Sequence, residues 1–102
     1  LAQVGALTFA APDRQRFPCV ELAYQALAAG GSAPAVLNAA NEIAVGAFLE
    51  RRLRFLDIPG VCAETLSRIP GCAVASLEDA LEADRAARSL ARGLTEEHRL
   101  TA

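Results

Sequence analysis

The sequence predicts an all-α fold, a small four-helix bundle preceded by an extended N-terminal arm, and three observations lead there. Alanine fills 23 of the 102 positions while aromatic residues make up only 5%, a balance that suits closely approaching helices better than a sandwich of bulky strands. Four runs of the chain repeat their apolar residues at helical spacing. Helix-capping residues, glycines and prolines bound those runs. A chain of this length makes one domain with a single core and little stability to spare.

Residues 1–16 read as a linker or extended arm, carrying Gly5, Pro12 and the polar stretch Ala11-Pro12-Asp13-Arg14-Gln15-Arg16, with only Ala6-Leu7-Thr8-Phe9 resembling a strand. The bundle is expected over 17–93. Its first helix starts at Phe17-Pro18, where the missing N–H of proline costs nothing, and its stripe is Leu22, Ala23, Ala26 and Leu27. Gly30-Gly31 ends it.

Ser32 is the expected N-cap of a second helix with Pro34 in its first turn, running to about Arg52. Val36, Leu37, Ala40, Ile43, Ala44, Ala47 and Phe48 make it apolar nearly all round in its first half, which marks the central, most buried helix. Arg54-Phe55-Leu56 is a connector, and Asp57 caps a third helix. There Ile58, Val61, Cys62, Thr65, Leu66 and Ile69 recur with one-sided spacing. Pro70-Gly71 breaks it, and Cys72-Ala73-Val74-Ala75 is short and apolar enough to cross in extended form. Ser76-Leu77-Glu78-Asp79 has the form of a capping box with Asp at its third helical position, opening a fourth helix that is expected to stop at Gly93. Residues 94–102 read as a polar tail.

Net charge of −2 and a pI near 5.3 leave no basic face for phosphate neutralisation, so no nucleic-acid partner is expected. All ten basic residues are arginine, which reads as compositional bias. Cys19, Cys62 and Cys72 lack CxxC spacing and are expected as reduced core thiols, neither a disulfide framework nor a zinc site. The chain shows no signal segment and no apolar run of the roughly 18 residues a membrane span needs. The expectation is a cytoplasmic protein without a membrane partner.

Asn38, Asn41 and Glu42, within Asn38-Ala39-Ala40-Asn41-Glu42, are spaced i, i+3, i+4 and share one helix face. Apolar neighbours at 37, 39, 40, 43 and 44 supply no further ligands, so a buried or interfacial hydrogen-bond network is expected there rather than a metal site. Arg14, Arg16 and the Pro12-Asp13 pair form a second polar concentration, with Asp13 and Arg16 as its docking candidates, suited either to a solvated linker or to docking on a partner surface. His98 lies in the tail, and Glu78, Asp79, Glu82 and Asp84 suit the N-terminal end of a helix. Neither GxGxxG after a strand nor GxxxxGK[ST] occurs. No catalytic, cofactor-binding or metal-binding residue is assigned.

Leu7-Thr8-Phe9, Ala11-Pro12-Asp13, Arg16-Phe17-Pro18-Cys19, Leu22-Ala23, Leu37-Asn38-Ala39-Ala40-Asn41-Glu42, Ala47-Phe48-Leu49 and Arg54-Phe55-Leu56-Asp57-Ile58 occur in order along the chain. In this order and spacing they resemble the C-terminal region of the bacterial 1-deoxy-D-xylulose 5-phosphate reductoisomerases. The resemblance covers nearly the whole chain, and is strongest from Leu7 to Pro59. It implies a three-part parent with an NADPH-binding domain, a catalytic domain holding Mn²⁺ or Mg²⁺ and the substrate phosphate, and a C-terminal helical bundle. It further implies a homodimeric parent that makes 2-C-methyl-D-erythritol 4-phosphate for isoprenoid synthesis. This chain resembles the third part alone, so it is expected to be inactive by itself and to hold no cofactor. Its partners are then the catalytic and NADPH-binding domains, and its exposed docking face is expected to promote self-association of the isolated chain. The alternative from another class is a free-standing helical protein-interaction module. An autonomous enzyme using Glu42 as acid or base lacks a partner group for it.

Overall fold

The computed structural model describes residues 18–69 and 73–99. The expected arm with Asp13 and Arg16, the Pro70-Gly71 breaker, Cys72 and the last three residues lie outside the described residues. What is described is all-α: α1 (Pro18–Ala29), α2 (Ala33–Leu49), a 3₁₀ turn (Phe55–Asp57), α3 (Ile58–Arg68) and α4 (Leu77–Glu97).

Helix α1 begins at Pro18, carries Glu21 in its first turn and buries only Leu22 and Ala26. It stops where expected, because Gly30 and Gly31 take positive φ of 71° and 57°, a left-handed backbone that side chains with a Cβ resist.

Helix α2 is the centre of the bundle and packs against each of the other three helices. Val36, Ala39, Ala40 and Ala44 are wholly buried along it, and alanine at the last three lets the neighbouring helices approach closely. Ser32 stands at the N-cap position, but its backbone is helical (φ −84°, ψ −5°) and its side chain makes no cap bond. Capping needs the extended backbone that turns the hydroxyl back on the first turn. The helix ends at Leu49 rather than Arg52. Arg52 N–H donates to Ala47 C=O at 2.8 Å and Arg51 N–H to Phe48 C=O at 2.9 Å, the paired bonds of a Schellman termination. The residue this motif usually makes glycine is Arg51, at φ 63°.

Leu53, in the connector, is among the largest fully buried side chains. Phe55 meets the Phe48 ring edge-on, centroids 5.5 Å apart at 63°, a favoured aromatic geometry. Helix α3 buries Ile58, Val61, Cys62 and Thr65, members of its one-sided pattern. The Thr65 hydroxyl is satisfied by donating to Val61 C=O at 2.8 Å. Asp57 precedes α3 without capping it, because its carboxylate accepts from Arg54 Nε at 3.1 Å and Nη2 at 3.2 Å instead.

Residues 73–75 have no regular structure. Ser76 does cap α4, its hydroxyl accepting from Asp79 N–H at 3.2 Å. The return bond goes from Ala75 N–H to Asp79 Oδ2 at 3.0 Å, one residue before the cap, so the shorter Asp completes a shifted version of the box. Helix α4 does not stop at Gly93. It runs a further turn, and Ala87, Ala91, Leu94 and Thr95 are all buried. Leu94 is the next member of the stripe, and its burial holds the helix through the glycine. The expected polar tail therefore begins with two core residues.

Candidate functional site

The face carrying Asn38, Asn41 and Glu42 divides in two. Asn38 Nδ2 donates to Glu42 Oε2 at 3.1 Å along α2. The other carboxylate oxygen, Glu42 Oε1, accepts from Arg88 Nη2 of α4 at 3.0 Å. Arg88 Nε in turn donates to Asp84 Oδ2 at 2.8 Å. The result is a four-residue chain, Asn38–Glu42–Arg88–Asp84, that crosses the α2–α4 seam. Hydrogen bonds to Asp84 and then Glu42 hold the Arg88 guanidinium above its ordinary pKa, so it stays charged. The network crosses between two helices and is solvated rather than buried, with the Glu42 side chain 54% exposed.

A second arginine lies further along the same seam. Arg52 pairs with Glu50 and reaches Glu96 of α4 at 3.6 Å, beside a shallow cleft that Gly46, Arg92 and Thr95 also line. Arginine thus crosses to the opposing side of the seam at two points, from Arg88 to Glu42 of α2 and from Arg52, just past α2, to Glu96 of α4. The sequence held half of this pattern, since Asp84 and Arg88 are an i, i+4 pair. Glu42 and Arg88 are 46 residues apart, and no local signal joins them.

Asn41 points elsewhere. With Asn38 it lines an apolar groove of about 400 Å³ between α1, α2 and α3, whose walls include Cys19, Ala23, Leu27 and Cys62. Cys62 is the core thiol expected of it, but Cys19 is exposed, because α1 buries only Leu22 and Ala26 and its first turn lies outside the core. Burial, with a smaller contribution from the charge of Cys19, pushes the Cys62 thiol up to about 12.

Among the described residues no group of three His, Cys, Asp or Glu side chains is placed to hold a metal ion. Carboxylates that a cation would need are already taken by arginine: Glu42 and Asp84 by Arg88, Asp57 by Arg54, Glu64 by Arg68. No described helix is long and apolar enough to cross a membrane. What composition did not disclose is a set of large apolar side chains left in solvent. Leu49, Phe55 and Leu56 are 72%, 64% and 83% exposed at the α2–α3 corner, and Tyr24 and Leu27 stand out on α1.

Comparison with known proteins gives one answer throughout. Residues 1–90 match the family described as the DXP reductoisomerase C-terminal domain. A 1-deoxy-D-xylulose 5-phosphate reductoisomerase of Pseudomonas aeruginosa is 60% identical over 88 residues, 86% of this chain and 22% of that protein. Its counterpart in Chlorobium phaeobacteroides is 52% identical over 96 residues, 94% of this chain and 25% of that protein. The solved reductoisomerase of Zymomonas mobilis in complex with NADPH superposes with a TM-score of 0.80 at 46% identity, over 84% of this chain and 23% of that one. The chain spans about a quarter of the length of the curated relatives it matches.

Proposed function

Since this chain belongs to the DXP reductoisomerase C-terminal domain family, we propose that it is the helical domain of a 1-deoxy-D-xylulose 5-phosphate reductoisomerase and serves that enzyme as a support, not as a reaction centre. The observation that carries this reading is the closed Asn38–Glu42–Arg88–Asp84 chain. The polar face of the central helix is used at the bundle's own surface seam, to fix α2 against α4, and both of its carboxylates, Glu42 and Asp84, are engaged by Arg88.

On this reading the parent converts 1-deoxy-D-xylulose 5-phosphate to 2-C-methyl-D-erythritol 4-phosphate with NADPH and Mn²⁺ or Mg²⁺, in the cytoplasm and as a homodimer. Neither NADPH nor the metal fits the described residues, because no group of three His, Cys, Asp or Glu side chains among them is placed to hold a metal ion and no glycine-rich phosphate loop is written in the chain. Both belong to the remaining three quarters of the parent. The exposed Leu49, Phe55 and Leu56 supply an apolar surface for those domains, and Asn41, Asp13 and Arg16 are the polar contacts assigned to docking.

Deleting residues 18–99 from the full-length enzyme tests this. Reductoisomerase turnover is expected to collapse while NADPH still binds the remainder. Full turnover in the deleted enzyme would overturn the supporting role.

A further inference from the structure

The groove between α1, α2 and α3 has a thiol on two of its walls, Cys19 from α1 and Cys62 from α3. One is open to solvent and the other is not. We propose that Cys19 and Cys62 form an oxidisable pair that closes to a disulfide across this groove and fastens α1 to α3. This inference is independent of the reductoisomerase reading.

Three features of the fold favour it. First, α1 and α3 pack directly on one another, and α1 presents the small side chains of Ala23 and Ala26 to the groove. The two sulfurs are near enough for the charge of Cys19 to act on Cys62, and closure brings their Cα atoms to the separation of roughly 7 Å or less that a disulfide needs. Second, the thiols occupy unequal environments, as an attacking and a resolving cysteine do. Cys19 meets a dissolved oxidant directly, and Cys62 is reached only through the groove. Third, α1 has the least to hold it, with two buried residues against six in α2 and four in each of α3 and α4. A covalent tie there constrains the element that otherwise leaves first.

The chemistry balances with a peroxide as oxidant. The Cys19 thiolate attacks one peroxide oxygen, the O–O bond breaks, and water leaves after protonation, giving a sulfenic acid on Cys19. The Cys62 sulfur then attacks the Cys19 sulfur, the S–O bond breaks, and a second water leaves carrying the Cys62 proton. Two thiols are oxidised by two electrons in all, and the peroxide is reduced to water. Cys62 attacks as a thiolate, and its burial makes this second step the slow one. Closure is therefore expected to accelerate as pH rises from 7 to 9, with the Cys19 sulfenic acid accumulating at the lower end.

The test uses this chain with Cys72→Ser, which removes the third thiol, treated with hydrogen peroxide and followed by intact mass and peptide mapping. The expected product has lost two hydrogens, maps to a Cys19–Cys62 cross-link, and melts about 5 °C or more above the reduced protein, because the tie closes a long loop. In Cys62→Ala the Cys19 sulfenic acid is instead trapped by a dimedone-type nucleophile. Cys19→Ser takes up no oxygen at Cys62. With the reaction run to completion at pH 9, two free thiols, Cys19 oxidised alone with Cys62 intact, or a disulfide formed only between two copies would each overturn the proposal.

Discussion

Arg88 of α4 donates to Glu42 of α2 across 46 residues of chain, at 3.0 Å, and the same guanidinium is held from behind by Asp84. An arginine so anchored loses less freedom on pairing than a free surface arginine does. Even so, Glu42 is solvated, and solvent screens the pair. Glu42→Gln, Arg88→Ala and Asn38→Ala are each expected to lower the Tm by only a few degrees. The deficits of the two charge-removing variants should shrink in 1 M salt. Melts of the three variants at low and high salt check this, and unchanged melting in all of them would show that the face does not fix the bundle.

Leu94 and Thr95 extend the buried stripe of α4 past Gly93, at 2% and 3% exposure. A chain ending at Gly93 therefore loses part of its core. Removing residues 94–102 is expected to cost about 2–5 kcal/mol, the usual loss for a large buried apolar side chain. Urea unfolding of the truncated and intact chains measures it.

Leu53 makes the same point in a connector. It is almost fully buried although no helix carries it, so Leu53→Ala should also cost about 2–5 kcal/mol. In a domain holding roughly 5–15 kcal/mol in all, that is a large fraction. Chemical denaturation would show it as a lower midpoint with an unchanged slope.

Arg51 occupies the left-handed position of the Schellman termination at φ 63°. Its side chain is exposed, so replacing it removes a backbone penalty and little packing. Arg51→Gly is expected to stabilise the chain by about 0.5–1 kcal/mol. Gly30→Ala, at φ 71° with open space around it, should do the reverse. Paired melts of the two variants read the sign of each.

Asp57 is held below the usual carboxylate range, first by its hydrogen bond with Arg54 and also by the positive charges of Arg54 and His98. A folded-state pKa below the unfolded value means that the stabilisation is complete above the unfolded value. It is lost as pH falls through the folded one. Asp57→Asn should therefore lower Tm at pH 6 and flatten the decline in Tm below about pH 4, the ordinary range of aspartate. Melting the two proteins from pH 6 to pH 2.5 decides it.

Local signals placed the helices well. Proline at the start of α1, the glycine pair after it, the Ser76 cap and the one-sided stripe of α3 all act within a turn or two of chain, and each left its mark in the sequence. The errors arose where tertiary contact outweighs such signals. Gly93 reads as a stop because glycine weakens a helix, yet the burial of Leu94 outweighs that cost. Arg51 carries no sign of the left-handed backbone it adopts, which the termination of α2 imposes. The polar face of Asn38 and Glu42 was legible as a face, and its acceptance of Arg88 depends on how α4 folds back. Asn41 turned away from that network because the helical twist carries it towards the groove beside α1.

The exposed Leu49, Phe55 and Leu56 predict self-association of the isolated chain, since soluble monomers rarely leave large apolar patches uncovered. Sedimentation velocity at rising concentration should show a reversible dimer or larger species, and Leu56→Glu should weaken it. A strict monomer throughout would remove this patch from the docking account.

The central claim, that this domain supports the reaction without holding its ligands, is tested most directly by thermal melting of the chain with Mn²⁺, NADPH or 1-deoxy-D-xylulose 5-phosphate. A ligand that binds the folded state must raise its Tm by mass action. No shift is expected with any of the three. A rise with Mn²⁺ that disappears in Glu42→Ala would contradict it, and would make the face of the central helix a metal site.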